Sequence, residues 1–459
     1  MNRKPATSAR ESALEALKLT HAGAFAEQAL SQILDSNPDQ KPEDRALATE
    51  LVYGVLRWKM RLDALINRLS KYPTTSIQPD AVEILRVALY QLWFLDRIPA
   101  HAAVDQAVRS AKMRCGKPTA SFVNAVLRRS IREGTGKAGP AGRDADSLGL
   151  YYSHPSWLVR RWLVEMGPDE TVRVLEANNS RAPLTLRVNR LKTVAEELKG
   201  LWKAHGVEYG DVGICPDAFI VRTGGRPVRR VPGYEEGLFI VQDAASQMIA
   251  PLLDLRPGLR VLDACAAPGN KTSHIAALML NSGEIIATDS DPARADDTTR
   301  RLHRMGADTV RVVQGDVTEA GFVKTLGLFD RVLVDAPCTN LGVLRHNPEA
   351  KYRIRPQDAA QFREVQLNIL RAGAPALRPG GMLVYSVCTV TREETVEVIN
   401  RFLETNLDFE LVGPTGVDGA GPAFWGDDGF FRTFPPPRDA SVDGFFAALI
   451  RRKPAGTLE

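Results

Sequence analysis

A chain of 459 residues, 44% hydrophobic and 25% charged, has the make-up of an ordinary globular protein; it is long enough for two or three domains and unlike a disulfide-stapled miniprotein or a disordered tail. The net charge is +4, and the five cysteines, at 115, 215, 265, 338 and 388, form no CxxC pair, which argues against a disulfide framework or zinc ribbon and for a reducing compartment. The opening MNRKPATSARES lacks the apolar core of a signal peptide, and the most apolar helix, 81–95, is interrupted by Glu83, Arg86 and Gln91, so a cytoplasmic protein without a membrane span is expected.

Residues 8–135 carry apolar positions at helical spacing, as in Ala13, Leu14, Leu17 and in Leu47, Leu51, Val55, with prolines between the runs. They predict a compact all-α domain with 81–95 at its centre and Ser121 capping the last helix, FVNAVLRR. Residues 1–135 hold 20 Lys and Arg against 14 Asp and Glu. The run Arg109, Lys112, Arg114, Lys117, Arg128, Arg129, Arg132 has no acidic residue within it, a pattern that suits phosphate binding and equally a solvated helical face.

The segments DRALATELVYGVLRWKMRLDALI, IPAHAAVDQAV and FVNAVLRR resemble the NusB-like domain that precedes the catalytic part of bacterial small-subunit rRNA methyltransferases. That resemblance implies RNA binding for residues 1–135. Residues 136–150 are rich in Gly, Ala and charge and read as a linker. Residues 151–236 read as two parts, the first of which, 151–179, is a helical connector with Trp157, Leu158, Trp162 and Leu163 on one face and a break at Gly167-Pro168. A small α+β unit follows, with Arg187, Arg190, Lys192, Arg226, Arg229 and Arg230 in its loops and edges; the family resemblance implies that it presents RNA.

From 237 to 455 strands (238–241, 260–264, 284–289, 310–315, 330–335, 381–387, 409–412, 444–450) alternate with helices (near 244–254, 269–280, 292–305, 319–326, 356–377, 391–405). This alternation predicts a doubly wound, Rossmann-like parallel sheet. The final segment, after the prolines at 435–437, is placed antiparallel at the sheet's end.

Within that region DACAAPGNKTSHIA, from Asp263 to Ala276, reads as strand end, tight turn and helix. Neither G-x-G-x-x-G nor the P-loop pattern is met, because Ala and Cys stand where glycines belong and Asn270 precedes Lys271. An adenosyl ligand without a pyrophosphate needs no phosphate cradle, so the turn points to S-adenosylmethionine, with Asp289 at the next strand end facing ribose hydroxyls. An ordinary turn without a ligand is the plainer alternative.

Two further strand ends carry thiols: FDRVLVDAPC ends in Asp335, Pro337 and Cys338, and GMLVYSVC ends in Cys388. A lone cysteine is usually buried and inert; two at one ligand edge suit methylation of pyrimidine carbon 5. That carbon is a poor nucleophile until a thiolate adds at carbon 6, which splits one hard step into easier ones. Asp335 is placed to hold the cytosine edge.

DACAAPGNKT, VVQGDV, DAPCTNLGVLR, SVC and DGFF, in this order, resemble the NOL1/NOP2/Sun family of RNA cytosine-C5 methyltransferases. With the NusB-like front end, the resemblance is to the bacterial members acting on 16S rRNA. It implies Cys388 as nucleophile, Cys338 as the thiol that assists release, and Asp335 beside the base. It also implies Cys265, Ala266, Ala267, Pro268, Gly269, Asn270, Lys271, Asp289, Arg294, Asp316 and Asp335 on the cofactor side. There are departures: Asn270 replaces a glycine, Val387 and Thr389 flank the nucleophile, and Arg345, His346 and Glu349 stand where two arginines and an Asp are usual. His274, His303 and His346 share no ligand spacing, so no metal is expected; Arg345 and Lys351 either contact RNA or solvate a loop. A monomer acting on RNA is expected. A tRNA-directed enzyme and a non-catalytic assembly factor remain as alternatives, and a DNA methyltransferase, which would use the Pro-Cys thiol as nucleophile, is disfavoured.

Overall fold

The computed structural model describes residues 8–134, 136, 139–413, 422–434 and 442–454; the prolines at 435–437 and part of the 136–150 segment lie outside them. In chain order the helices are α1 (Ala9–His21), α2 (Ala26–Asp35), α3 (Pro42–Leu69), α4 (Pro79–Phe94), α5 (Ala100–Cys115), α6 (Lys117–Glu133), α7 (Ala145–Tyr152), α8 (Ser156–Met166), α9 (Pro168–Asn179), α10 (Ala195–Ala204), α11 (Ala244–Gln247), α12 (Asn270–Leu278), α13 (Pro292–Met305), α14 (Phe322–Leu326), α15 (Ala350–Arg353), α16 (Asp358–Gly373) and α17 (Val396–Thr405). The strands are β1 (Thr185–Val188), β2 (Glu208–Asp211), β3 (Ala218–Arg222), β4 (Phe239–Val241), β5 (Arg260–Asp263), β6 (Glu284–Asp289), β7 (Val310–Gln314), β8 (Phe329–Asp335), β9 (Leu377–Val387), β10 (Phe409–Val412), β11 (Phe431–Arg432) and β12 (Phe446–Arg452). Among the described residues no helix is long and apolar enough to cross a membrane.

The chain divides into two compact units. The first takes Met1–Arg181, Gly224–Arg226 and Leu344–Arg353; the second takes Ala182–Thr223, Pro227–Val343 and Ile354–Glu459. In the first unit α4 is buried from Ala81 to Gln91, Glu83 and Arg86 included. Arg86 reconciles its charge with burial by donating to Asp63 at 2.6 and 2.8 Å and to Glu83. The helix α6 starts at Lys117 behind Gly116, and Ser121 bonds back to the Lys117 carbonyl inside it. Ser121 is therefore not the cap that the sequence predicts, because Pro118 near the start already suits the first turn. The helix α7 starts at Ala145, inside the stretch read as linker, capped by Asp144. In the basic run Arg109, Lys112, Lys117, Arg128 and Arg132 stay exposed. Arg114 pairs with Glu11 and Glu15, and Arg129 with Glu133.

The segment Leu344–Arg353 folds as part of this helical unit and supplies polar groups that its helices lack. The helix α3 kinks at Trp58 (φ −108°, ψ 15°). The ladder opened there is closed by Ser153 Oγ, which accepts from the Met60 N–H at 2.8 Å, and by Lys351 Nζ, which donates to the Arg57 carbonyl at 2.8 Å. Glu349 accepts from the Ala26 N–H at 2.9 Å, where α2 has no side-chain cap of its own, and Arg353 donates to the Thr20 carbonyl at 3.0 Å, near the end of α1. Lys351 and Arg345 are thus buried, contrary to the solvated or RNA-facing loop expected from their charge.

In the second unit a four-stranded antiparallel sheet runs β2-β3-β1-β4 over a core of Trp202, Phe219 and Phe239. Two expectations fail there. Phe239–Val241 pairs with β1 (Leu186 opposite Val241) and does not join the large sheet; a three-residue strand carries no local mark of its partner. Arg187 is not in a loop or edge but buried in β1, donating to Ser273 Oγ at 2.8 Å, and burial pulls its pKa down to about 9.

The eight-stranded sheet runs β10-β12-β9-β8-β5-β6-β7, with β11 alongside β12. The strands from β9 to β7 are parallel, and β12 lies antiparallel to β9 and to β10. Successive strand residues serve opposite faces. Leu262, Ile286, Val332, Val334, Leu383 and Tyr385 pack with Leu367, Leu370, Val398 and Phe402 of α16 and α17, while Val261, Ile285, Leu333 and Val384 pack with Ile275 and Ala276 of α12. Both faces are covered, which is why these strands read as continuous apolar runs. The parallel register brings the carboxyl ends of β5, β6, β8 and β9 to one edge: Asp263 lies opposite Ala287 and Leu333, and Asp335 opposite Ser386.

Candidate active site

Along that edge lies a cleft of about 640 Å³ lined by Ala264, Cys265, Ala267, Pro268, Asp289, Ser290, Arg294, Asp316, Asp335, Cys338, Asn340 and Cys388, with Phe362, Val365 and Ile369 of α16 on its apolar wall. The β5–α12 turn enters it with small side chains, and Gly269 takes φ +92°, where an L side chain is strained. A Cβ at Gly269 would also press on Thr298 of α13 at 3.2 Å. Of the residues that the sequence assigns to this turn, Cys265, Ala267 and Pro268 line the cleft, while Ala266 is buried. Asn270 donates to the Val241 carbonyl at 3.1 Å, so its extra side chain is turned to β4. Lys271 reaches across to Asp335.

Asp289, at the end of β6, is nearly buried; one of its oxygens accepts from the Asp291 N–H at 3.0 Å and the other lies 3.3 Å from Arg294. Asp316, after β7, accepts from the N–H and hydroxyl of Thr318. Asp335 is held on both sides, accepting from Lys271 Nζ and from Ser386 Oγ, each at 2.6 Å. Asp263 lies behind the cleft, accepting from Thr272 Oγ1 at 2.7 Å, and burial raises its pKa to about 7.

The two thiols meet at this edge. Cys338 Sγ and Cys388 Sγ lie 3.4 Å apart and share a hydrogen bond, and Cys388 Sγ donates to Asn340 Oδ1 at 2.9 Å. The hydrogen bond with Cys388, followed by burial, raises the Cys338 thiol pKa well above its ordinary range. Burial together with Asp263, Asp335 and Asp289 also raises the Cys265 pKa, which marks that thiol as inert. Cys388 is the more exposed of the facing pair.

Sequence reasoning missed Asn340, whose left-handed backbone (φ +58°) turns its amide toward both sulfurs. It also missed Ser386 and the α16 wall. Asn340 stands within the DAPCTNLG segment; an Asn two residues past a strand-end cysteine is a signal that could have found it. Phe362, Val365 and Ile369 had none, since they look like any amphipathic helix face.

The chain matches the family described as 16S rRNA methyltransferase RsmB/F over residues 250–451, the NusB family over residues 7–132 and the ferredoxin-like domain of RsmF/B-like methyltransferases over residues 154–229. It is 37% identical over 440 residues to a probable ribosomal RNA small subunit methyltransferase B of Bacillus subtilis (strain 168), covering 93% of this chain and 98% of that protein. It is 36% identical over 426 residues to the ribosomal RNA small subunit methyltransferase B of Vibrio cholerae, covering 92% and 93%. Among solved structures, that of PH0851 superposes with a TM-score of 0.81 at 27% identity, covering 98% of this chain and 99% of the other. A methyltransferase homologue from Pyrococcus horikoshii superposes with a TM-score of 0.57 at 29% identity, covering 68% and 99%. With a NusB-type helical region, a ferredoxin-like unit and a methyltransferase domain in one chain, the protein belongs to the RsmB/F family of 16S rRNA methyltransferases.

Proposed function

We propose that this protein methylates carbon 5 of a cytosine in 16S rRNA, with Cys388 adding to carbon 6 and Cys338 assisting release. The observation that carries the reading is the pair of sulfurs 3.4 Å apart in the cleft that also holds Asp335 and Asp289. Its relatives are named for the small-subunit RNA.

The cleft fits an adenosyl group: Asp289 offers a carboxylate to hydroxyls, the Cys265–Pro268 backbone carries only small side chains, and Val317, Phe362 and Ile369 offer an apolar wall. Bound S-adenosylmethionine would supply the electrophilic methyl group. The rest falls to the chain's own residues. Cys388, the more accessible thiol, adds as thiolate to carbon 6 and pushes electron density to carbon 5. Asp335, fixed by Lys271 and Ser386, holds the N3 and N4 edge of the ring as charge develops there. Once a solvent water in the open cleft has taken the carbon-5 proton, that electron pair re-forms the 5,6 double bond, the bond from carbon 6 to Cys388 breaks, and Cys338, kept protonated beside Cys388, assists the departing thiolate by offering its proton.

The test incubates the purified protein with methyl-labelled S-adenosylmethionine and deproteinised 16S rRNA, 23S rRNA or tRNA, then maps 5-methylcytosine base by base. Label at one cytosine of 16S rRNA is expected. Label confined to tRNA would move the target, and binding of RNA without methylation would make the chain an assembly factor.

A further inference from the structure

Glu394, just ahead of α17, is fully buried and was not singled out by its sequence. Its carboxylate gathers donors from three separate stretches of chain. Oε1 accepts from Thr339 Oγ1 at 2.5 Å, Thr391 Oγ1 at 2.8 Å and Thr389 Oγ1 at 3.2 Å. Oε2 accepts from the Thr339 N–H at 2.9 Å and from Gln366 Nε2 at 3.1 Å, and Gln366 Nε2 also donates to the Pro337 carbonyl at 2.9 Å. Thr339 follows Cys338 and Thr389 follows Cys388; the Thr389 hydroxyl also lies 2.7 Å from Thr339 Oγ1, so its single proton is shared between that oxygen and Oε1.

None of these donors is charged. A carboxylate taken out of water costs several kcal/mol unless it is well bonded, and a fold needing only packing at this point would be served by an apolar side chain. What the carboxylate supplies is enough acceptor capacity to fasten both thiol-bearing loops and α16 to one point. We propose that Glu394 is a positioning residue that sets the separation and orientation of Cys338 and Cys388. The inference rests on the two-thiol reaction proposed above. Its charge also lies behind Cys338, where it adds to the hydrogen bond with Cys388 and to burial in keeping that thiol protonated.

The test uses the full chain carrying E394A, E394Q or T391V, and reads kcat and KM for 16S rRNA together with the rate at which diamide joins the two thiols. In that oxidation the two thiols give up two electrons and two protons, the S–S bond forms, and diamide takes them up as its hydrazine. E394A should lower kcat about a hundredfold while KM stays within about twofold, and slow disulfide formation about tenfold. E394Q keeps one oxygen for the Thr339 N–H and should recover much of both, with T391V in between. An E394A protein that joins its thiols at the wild-type rate, or keeps its kcat, overturns the inference. Should E394A fail to fold, T391V decides: a joint fall in kcat and in diamide rate supports the inference, and any other result overturns it. Diamide acts without RNA or methyl donor, so this failure is distinct from failure of the proposed reaction, in which wild-type protein forms no RNA adduct.

Discussion

Cys338 and Cys388 stand 50 residues apart in the chain, yet their sulfurs lie 3.4 Å apart, because β8 and β9 are parallel neighbours with Asp335 opposite Ser386. Each strand delivers its thiol just past the carboxyl end. The pair is asymmetric: both thiols line the cleft, but Cys338 is buried with its pKa raised, whereas Cys388 is the more exposed of the two.

That asymmetry predicts opposite outcomes for two small substitutions. Cys388→Ala should abolish methylation and leave no covalent RNA complex. Cys338→Ala should instead let the complex accumulate, since addition proceeds and release stalls. Labelled 16S rRNA run on a denaturing gel reads both. A persistent complex in Cys388→Ala alone would exchange the two roles.

Lys271 donates to Asp335 at 2.6 Å, so it should act through that carboxylate. Lys271→Met and Asp335→Asn should each lower the single-turnover methylation rate by about a hundredfold. Because each removes the same interaction, the double variant should be little slower than the worse single one. Full additivity in this cycle would mean that the lysine serves something else.

Much of this site was legible because the signals are local. An apolar run that ends in Asp, Cys or small residues announces a parallel strand end, and DACAAPGN, DAPC and SVC each did so within a few residues. What stayed hidden depends on distant partners. Phe239–Val241 could be assigned to a sheet only by its pairing with Leu186–Val188. Lys351 looks like a surface cation until Arg57 and Asn179 close around it. Glu394 sits in an ordinary REE run, and its role emerges only when residues 337–339, 366 and 389–391 converge on it.

Gly342 marks a close approach that a sequence cannot disclose. Its N–H donates to the Cys388 carbonyl at 3.0 Å, its carbonyl accepts from the Gly444 N–H at 2.8 Å, and a Cβ there would sit 1.9 Å from the Gly444 oxygen. Gly342→Ala should therefore push the Cys388 loop and the start of β12 apart, costing about 1–3 kcal/mol of stability. Methylation should fall further than the fraction unfolded accounts for. Denaturant melts and single-turnover rates on one preparation compare the two; equal losses would deny the glycine any part in shaping the site.

Asp263 gives a prediction in pH. Burial raises its pKa from 3.8 to about 7 in the folded protein, so the folded state holds a proton that the unfolded chain releases near its ordinary pKa. The stability this confers is fully present below about pH 4 and is lost as pH rises through about 7. Asp263→Asn keeps a neutral side chain of the same shape at every pH and should not lose it. Other groups titrate in the same window, His21 among them, with its pKa lowered to about 4 chiefly by burial; the quantity to follow is therefore the difference in Tm between the two proteins. It should shift in favour of the variant between about pH 4 and about pH 8. Parallel Tm curves across that range would show that Asp263 is already ionised in the folded protein, with Thr272 and its backbone neighbours enough to hold the charge.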